Sequence, residues 1–316
     1  MRTQLPLALL ATTALACSLA TTTAHARARV FVASYGNDAN PCTFLSPCRN
    51  FQAAVNAVDA GGEVAAIDSA GFGPIDIVKA VTITSPDGVE AGVVPVAGGN
   101  AIDINAGPSD AIVLRGLTLN GSGIGFNGIN FNTGASLTIT NCVVQNFVHT
   151  AGPGTGNGIL IEPTSGPMNF AITNTIISNN GEIGIFYIPA SNSVGNGVID
   201  HVVATGNIYG FNVEAPLNGP KGFVAISNSV FSNNVQDGIF DENGVLSIDN
   251  VTISGNSNAG IQAVGTTQVL LGRSVIAGNV TGILTDPLST FTYKDNRINL
   301  NGTDVSGALD TQFVLQ

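Results

Sequence analysis

Four acids, Glu162, Glu214, Glu242 and Asp286, each stand four residues after a glycine inside a short apolar run. The runs are NGILI (157–161), YGFNV (209–213), DGIFD (237–241) and TGILT (281–285). In two further runs, IGIFY (183–187) and AGIQA (259–263), Ile188 and Val264 fill the same offset. If the runs are stacked strands, these positions form one column with neighbours about 4.8 Å apart. Like charges in register repel, so the acids must splay into water, share a proton or hold a cation. Glu214 and Glu242 would be neighbours with Asp241 beside them. These three are the candidate calcium ligands, or the source of an acid/base pair.

Three segments just after this column, PTSGPMN (163–169), PASNSVGN (189–196) and APLNGPKG (215–222), are longer than their later equivalents. Loops side by side on a rigid scaffold can form a binding flank, or can simply decorate it. Tyr187, Tyr209 and Lys221 lie nearby. Aromatic faces stack on sugar rings, and carboxylates hydrogen-bond hydroxyls. The candidate flank is therefore Glu162, Tyr187, Tyr209, Glu214, Lys221, Asp241 and Glu242, with a polysaccharide or cell-surface glycan as partner. No cofactor is required, and calcium is the one that would fit. His149 falls in the long turn QNFVHTAGPGTGN (145–157), where it is expected to be exposed.

The elements that must position these residues come from a repeat. ITNTIISNNGEIGIF (172–186), ISNSVFSNNVQDGIF (226–240) and IDNVTISGNSNAGIQ (248–262) are copies of one phrase. Aligned on one slot, the copies carry Gly116, Asn141, Asn174, His201, Asn228, Asn250, Arg273 and Arg297, at spacings of 25, 33, 27, 27, 22, 23 and 24. Two residues before the slot stand Leu114, Ile139, Ile172, Ile199, Ile226, Ile248 and Leu271. The last copy breaks this column with Asp295. Three after the slot come Leu119, Val144, Ile177, Ala204, Phe231, Ile253, Ile276 and Leu300. Period-two alternation on both sides of the slot predicts two short strands joined by a sharp bend. Asn and Gly suit the left-handed backbone of such a bend, and stacked Asn side chains can hydrogen-bond along the stack. The Gly-Ile or Gly-Phe run supplies a third strand. Three short strands per repeat with no helix between them describe a coil whose turns stack. Cys142, Ser229 and Ser274 share an inward column with Val and Leu, so Cys142 reads as a buried small residue.

Bulk properties agree. The 316 residues carry only 10% charged residues and a formal charge of −11. That acidity makes nucleic acid a poor partner, and an anionic polymer would be repelled on average unless a metal ion bridged it. Met1-Arg2, the apolar stretch 5–20 and AHA (24–26) have the pattern of a secretory signal peptide cleaved near Ala26. Its loss removes one arginine and no acid, which takes −11 to −12. A membrane anchor and lipidation at Cys17 are the alternatives. No other apolar segment is long enough to span a bilayer. Export would place the protein outside the cell, in the periplasm or on the outer surface. There Cys42 and Cys48 of NPCTFLSPC can form a local disulfide rather than stay free thiols.

The strings ITNTIISNN…GI and TNC (140–142), with the N-terminal segment, resemble right-handed parallel β-helix proteins, the pectate-lyase-like fold, over about residues 30–305. That resemblance implies a short amphipathic helix capping the first coil and a Gly-Gly turn into the first strand. CRNFQAAVNAVDAGGEVAAID (48–68) fits, with Phe51, Ala54, Val55 and Val58 on one helical face. A cap would also cover the exposed core and strand edge of the first turn. The expected fold class is all-β: a single-stranded right-handed parallel β-helix with a short N-terminal α-helical cap. The expected organisation is a signal peptide (1–26), a cap pinned by Cys42–Cys48 (27–61), the coil (62–305) and a C-terminal cap or tail (306–316).

The resemblance says little about activity, because this fold hosts many functions. The calcium-binding aspartate cluster of the family's lyases is not recognisable here. Nor are the NTD, DD, GHG and RIK strings of its galacturonan hydrolases. QDGIF (236–240) only loosely matches an esterase signature. P-loop, GxSxG, HExxH and GGxGxD strings are missing too. His201 replaces the Asn found in four of the eight copies and reads as a structural substitute. Arg273 and Arg297 read as outward, solvated bend residues. The leading expectation is a polysaccharide-binding surface protein. The alternatives are a polysaccharide lyase or glycoside hydrolase using the acidic column, and a structural, adhesin-like solenoid.

Overall fold

The computed structural model describes residues 27–310 apart from 151, 153, 165, 192–194, 220 and 287–289. The signal-peptide segment and residues 311–316 of the expected tail lie outside the described residues. The protein is a right-handed parallel β-helix, and among the described residues its one helix is Phe51–Ala57. Three parallel sheets run along the coil: twelve strands in the first, ten each in the second and third. One turn shows the path. Met168–Thr173 belongs to the first sheet, Ile176–Ser178 to the second and Ile183–Tyr187 to the third.

The register matches the sequence columns. Leu114, Ile139, Ile172, Ile199, Ile226, Ile248 and Leu271 are successive Cα partners on the first sheet. All are buried. Leu119, Val144, Ile177, Ala204, Phe231, Ile253 and Ile276 do the same on the second. Burying each Leu or Ile contributes about 1.5–3 kcal/mol. Because every turn repeats the same inward positions, the core is a continuous rod.

The bend slot behaves as its residue types require. Asn141, Asn174, His201, Asn228, Asn250 and Arg273 all have left-handed φ, between 47° and 55°. The last copy needs a correction. Ile298, not Leu300, pairs with Ile276, and Arg297 pairs with Val275. Lys294 (φ 67°), not Arg297, continues the bend position, since Thr292 pairs with Leu271. One extra residue in this bend shifts everything after it.

A second bend carries the stack's main side-chain ladder. Asn180, Asn207, Asn234, Asn256 and Asn279 are buried, six residues after successive slots. Asn180 donates from its backbone N–H and from Nδ2 to Asn207 Oδ1, at 3.1 and 3.0 Å. Asn234 and Asn256 repeat this towards Asn256 and Asn279. Each amide thus accepts the otherwise orphaned N–H of the turn before it. The expected stacking at the first bend is sparser: Asn250 Nδ2 donates to Asn228 Oδ1 at 2.7 Å, and Asn228 Nδ2 to Asp200.

At the N-terminal end, Phe51, Ala54, Val55 and Val58 are buried together as their spacing predicts. Phe51 meets Phe72 with ring centroids 4.9 Å apart. Cys42 and Cys48 are disulfide-bonded. Cys142 is free and buried, and burial pushes its thiol up to about 11. At the other end the coil path continues beyond 305: Thr303–Ser306 joins the third sheet and Leu309–Asp310 the first. No helix of the described residues is long and apolar enough to cross a membrane.

Candidate functional site

Alternation along the third sheet decides which predicted site residues meet solvent. Tyr187, Val213 and Asp241 are successive Cα partners, and all three are buried. The position after each, Ile188, Glu214 and Glu242, points outward. Glu214 and Glu242 are register neighbours as expected. Ile188 lies between Glu162 and Glu214, and Val264 between Glu242 and Asp286. The acidic column is therefore one adjacent pair and two outliers.

Asp241 does not join that pair. Its Oδ1 accepts the Gly244 N–H at 2.7 Å, and its Oδ2 has no partner. Burial drives the carboxyl up to about 7, against the opposing Gly244 bond and the Lys221 charge. The Tyr187 hydroxyl is likewise unpartnered, and burial raises it to about 12. Its ring is fully buried, edge-on to Phe170 with centroids 5.1 Å apart, and burial leaves it no face to offer a sugar. The Lys221 ammonium donates to the carbonyl and Oγ1 of Thr266, tying loops 45 residues apart. Among the described residues, no group of three His, Cys, Asp or Glu side chains is placed to hold a metal ion.

A different surface gathers the remaining candidates. The strands Ile159–Ile161, Ile183–Tyr187, Tyr209–Glu214 and Ile239–Glu242 lie side by side. Their outward positions in register are Leu160, Phe186, Asn212 and Phe240. Phe186, Asn212 and Phe240, but not Leu160, line a groove of about 410 Å³ together with Tyr209, Glu214 and Glu242. His149 and Glu182 form one wall with Gly154, Thr155 and Asn157, from the long turn that precedes Ile159–Ile161. The groove crosses successive turns, so it runs along the coil axis for about 14 Å, three strand spacings.

Its chemistry is aromatic and acidic. The half-buried Tyr209 ring packs edge-on to Phe240, with centroids 5.7 Å apart, and its hydroxyl donates to Gln236 Oε1 at 3.1 Å. Burial, then the charges of Asp237, Glu182 and Glu214, pushes that hydroxyl above its ordinary range. Asn212 lies in register between Phe186 and Phe240 and is only 3% exposed. Its Nδ2 donates to Glu214 Oε1 at 3.0 Å, while its Oδ1 has no partner. His149 Nδ1 is 3.3 Å from Glu182 Oε2 and 3.0 Å from the Thr155 carbonyl. Beneath the surface, burial raises the Asp237 carboxyl, although Ala259 N–H and Asn258 Nδ2 both donate to its Oδ1. His201 lies elsewhere, exposed at the first bend with Nδ1 2.7 Å from Asp200 Oδ2.

The sequence reading located Tyr209, Glu214 and Glu242 but missed Glu182, Phe186, Asn212 and Phe240. The missing signal lies two residues after each third-strand glycine, where two of six residues are Phe. The site faces outward from the strands themselves, not from the loops that follow them.

The model of the family described as "Right handed beta helix region" matches residues 157–311. No curated protein matches the sequence significantly. Among solved structures, the Azotobacter vinelandii mannuronan C-5 epimerase AlgE4 A-module is similar, with a TM-score of 0.51 and 17% identity. The likeness covers 82% of this chain and 89% of that one. Pectate lyase Pel9A gives a TM-score of 0.49 at 15% identity, covering 86% and 70%. At these identities the likeness is one of fold.

Proposed function

We propose that this protein is exported and binds a polysaccharide along the groove on the outer face of its third sheet. The observation that carries the reading is the strip of half-buried rings, Phe186, Tyr209 and Phe240, on consecutive turns of a rigid coil, bordered by an amide and carboxylates. Rings offer flat apolar faces to the C–H faces of sugars, while Asn212 and Glu214 offer hydrogen bonds to hydroxyls. The likeness to an epimerase named for mannuronan supports a polysaccharide ligand. The disulfide supports export to an oxidising compartment. Calcium is proposed only as an alternative occupant of the Glu214–Glu242 pair, competing with any cationic group of the ligand.

A glycan array followed by calorimetry on the best binder tests this. Tyr209→Ala should weaken binding about tenfold, the loss of one stacked ring, with unchanged circular dichroism. Equal affinity of wild type and Tyr209→Ala, together with intact binding by Phe186→Ala, would remove the groove from the reading. Analysis of the incubated polymers for new chain ends scores cleavage in the same samples.

A further inference from the structure

The groove is acidic, and its charge is not matched from within. Glu182, Glu214 and Glu242 line it, and among the described residues His149, already beside Glu182, is the one lining side chain that can carry positive charge. Among those residues no lysine or arginine lines it, and Lys221 donates to Thr266 instead. Asp237 adds its charge close enough to raise the Tyr209 hydroxyl. A uronate polymer would bring one carboxylate per sugar against this surface and be repelled.

A second observation points to a ligand. Asn212 is almost wholly buried, lines the groove and leaves Oδ1 without a partner. A buried amide oxygen is costly to leave unsatisfied. Oδ1 is sealed from solvent as it stands, so a ligand donor would reach it only once the neighbouring Phe186 or Phe240 ring turns aside. Glu214, held by Asn212 Nδ2, and Glu242 repeat at the strand spacing of about 4.8 Å.

We infer that the groove is selective for amino-sugar polymers with free ammonium groups, and against uronate polymers. Its rings would stack on the sugar faces, Glu214 and Glu242 would together pair with an ammonium group presented on their side of the chain, and Asn212 Oδ1 would accept an ammonium or hydroxyl hydrogen. This deepens the glycan-binding reading and rests on it.

The test is calorimetry on the full-length chain with four oligomers of equal length: glucosamine, N-acetylglucosamine, galacturonate and lysine. It is run below the pKa of the amine, with and without calcium, over a salt series. Glucosamine oligomers should bind at least about tenfold more tightly than the acetylated ones, with affinity falling as salt rises. Glu214→Gln and Glu242→Gln should each weaken them about three- to tenfold and leave the acetylated oligomers unchanged. Both side chains are solvent-facing, and unchanged thermal unfolding of each variant confirms its fold. Equal binding of acetylated and free amines, unmoved by either variant, would overturn the charge selectivity and leave the glycan site standing. Binding of galacturonate alone, with or without calcium, would also overturn it. Binding of oligolysine but no sugar would assign the groove to a basic peptide and overturn both readings.

Discussion

At the scale of single residues, Asp241 shows what inward placement does to a carboxyl. Its raised value, about 7, means the folded state keeps a proton that the unfolded chain releases near 4. Between about pH 4 and pH 7 the folded state binds more protons, so its contribution to stability is full below pH 4 and is lost as pH rises through 7. The wild type should lose up to about 4 kcal/mol across that window. Asp241→Asn retains an acceptor for the Gly244 N–H and removes this ionisation, so its unfolding profile should fall less steeply there, with the remaining slope coming from groups such as the raised Asp237 carboxyl. Urea unfolding at four pH values reads the difference. A wild-type profile parallel to that of Asp241→Asn would mean the carboxyl is ionised and solvated. The sequence placed Asp241 beside Glu242 correctly, but adjacent strand residues face opposite sides. Tyr187 falls to the same rule. The glycine offset that identifies the outward Glu214 and Glu242 assigns their predecessors to the core.

At the scale of elements, the second bend couples neighbouring turns. Asn234 Oδ1 accepts the backbone N–H and Nδ2 of Asn207, at 3.1 and 3.4 Å. Asn234→Ala would leave the Asn207 N–H buried and unpaired, at about 1–3 kcal/mol. Asn207 Nδ2 would keep the Ile177 carbonyl at 3.3 Å, and the Asn234 Nδ2 bonds to Ala204 and Asn256 would be lost as well. The loss should total about 2–5 kcal/mol in chemical unfolding, and Asn234→Ser should recover little because its hydroxyl is too short to bridge the turns. A loss under 1 kcal/mol would show that water replaces the amide. Beside the ladder, Gly210 packs so tightly that an added Cβ would lie 2.5 Å from the Gly238 carbonyl oxygen. Gly210→Ala must therefore push two turns apart and should destabilise the coil more than the helix-face change Ala53→Ser. The apolar columns were legible because their period survives variation in repeat length. The ladder was written just as plainly, as Asn180, Asn207, Asn234, Asn256 and Asn279, but only a column six residues from the slot displays it. The groove was harder to read, because it mixes aromatic, amide and acidic residues and no single type repeats.

At the scale of the whole molecule, a stack in which each turn touches only its neighbours should lose structure locally before it loses it globally. The N-terminal end is where this can be tested. The Cys42–Cys48 loop lies against the first strand: Phe31 N–H donates to the Cys42 carbonyl at 2.8 Å, and Cys48 N–H to the Phe31 carbonyl at 3.0 Å. Cys42 and Cys48 are buried in the same continuous core as Phe51, Ala54 and Val55. Opening a loop of this size should cost about 2 kcal/mol. In Cys42→Ser/Cys48→Ser, amide exchange should accelerate in Arg29–Val32 and Phe51–Ala57. Met168–Thr173 and the turns after it should keep their protection, and glycan binding at the groove, several turns away, should be unchanged. Uniform acceleration along the coil would instead mean that the N-terminal segment nucleates the entire stack. The coil would then behave as one cooperative unit in which the first turn sets the stability of the binding face.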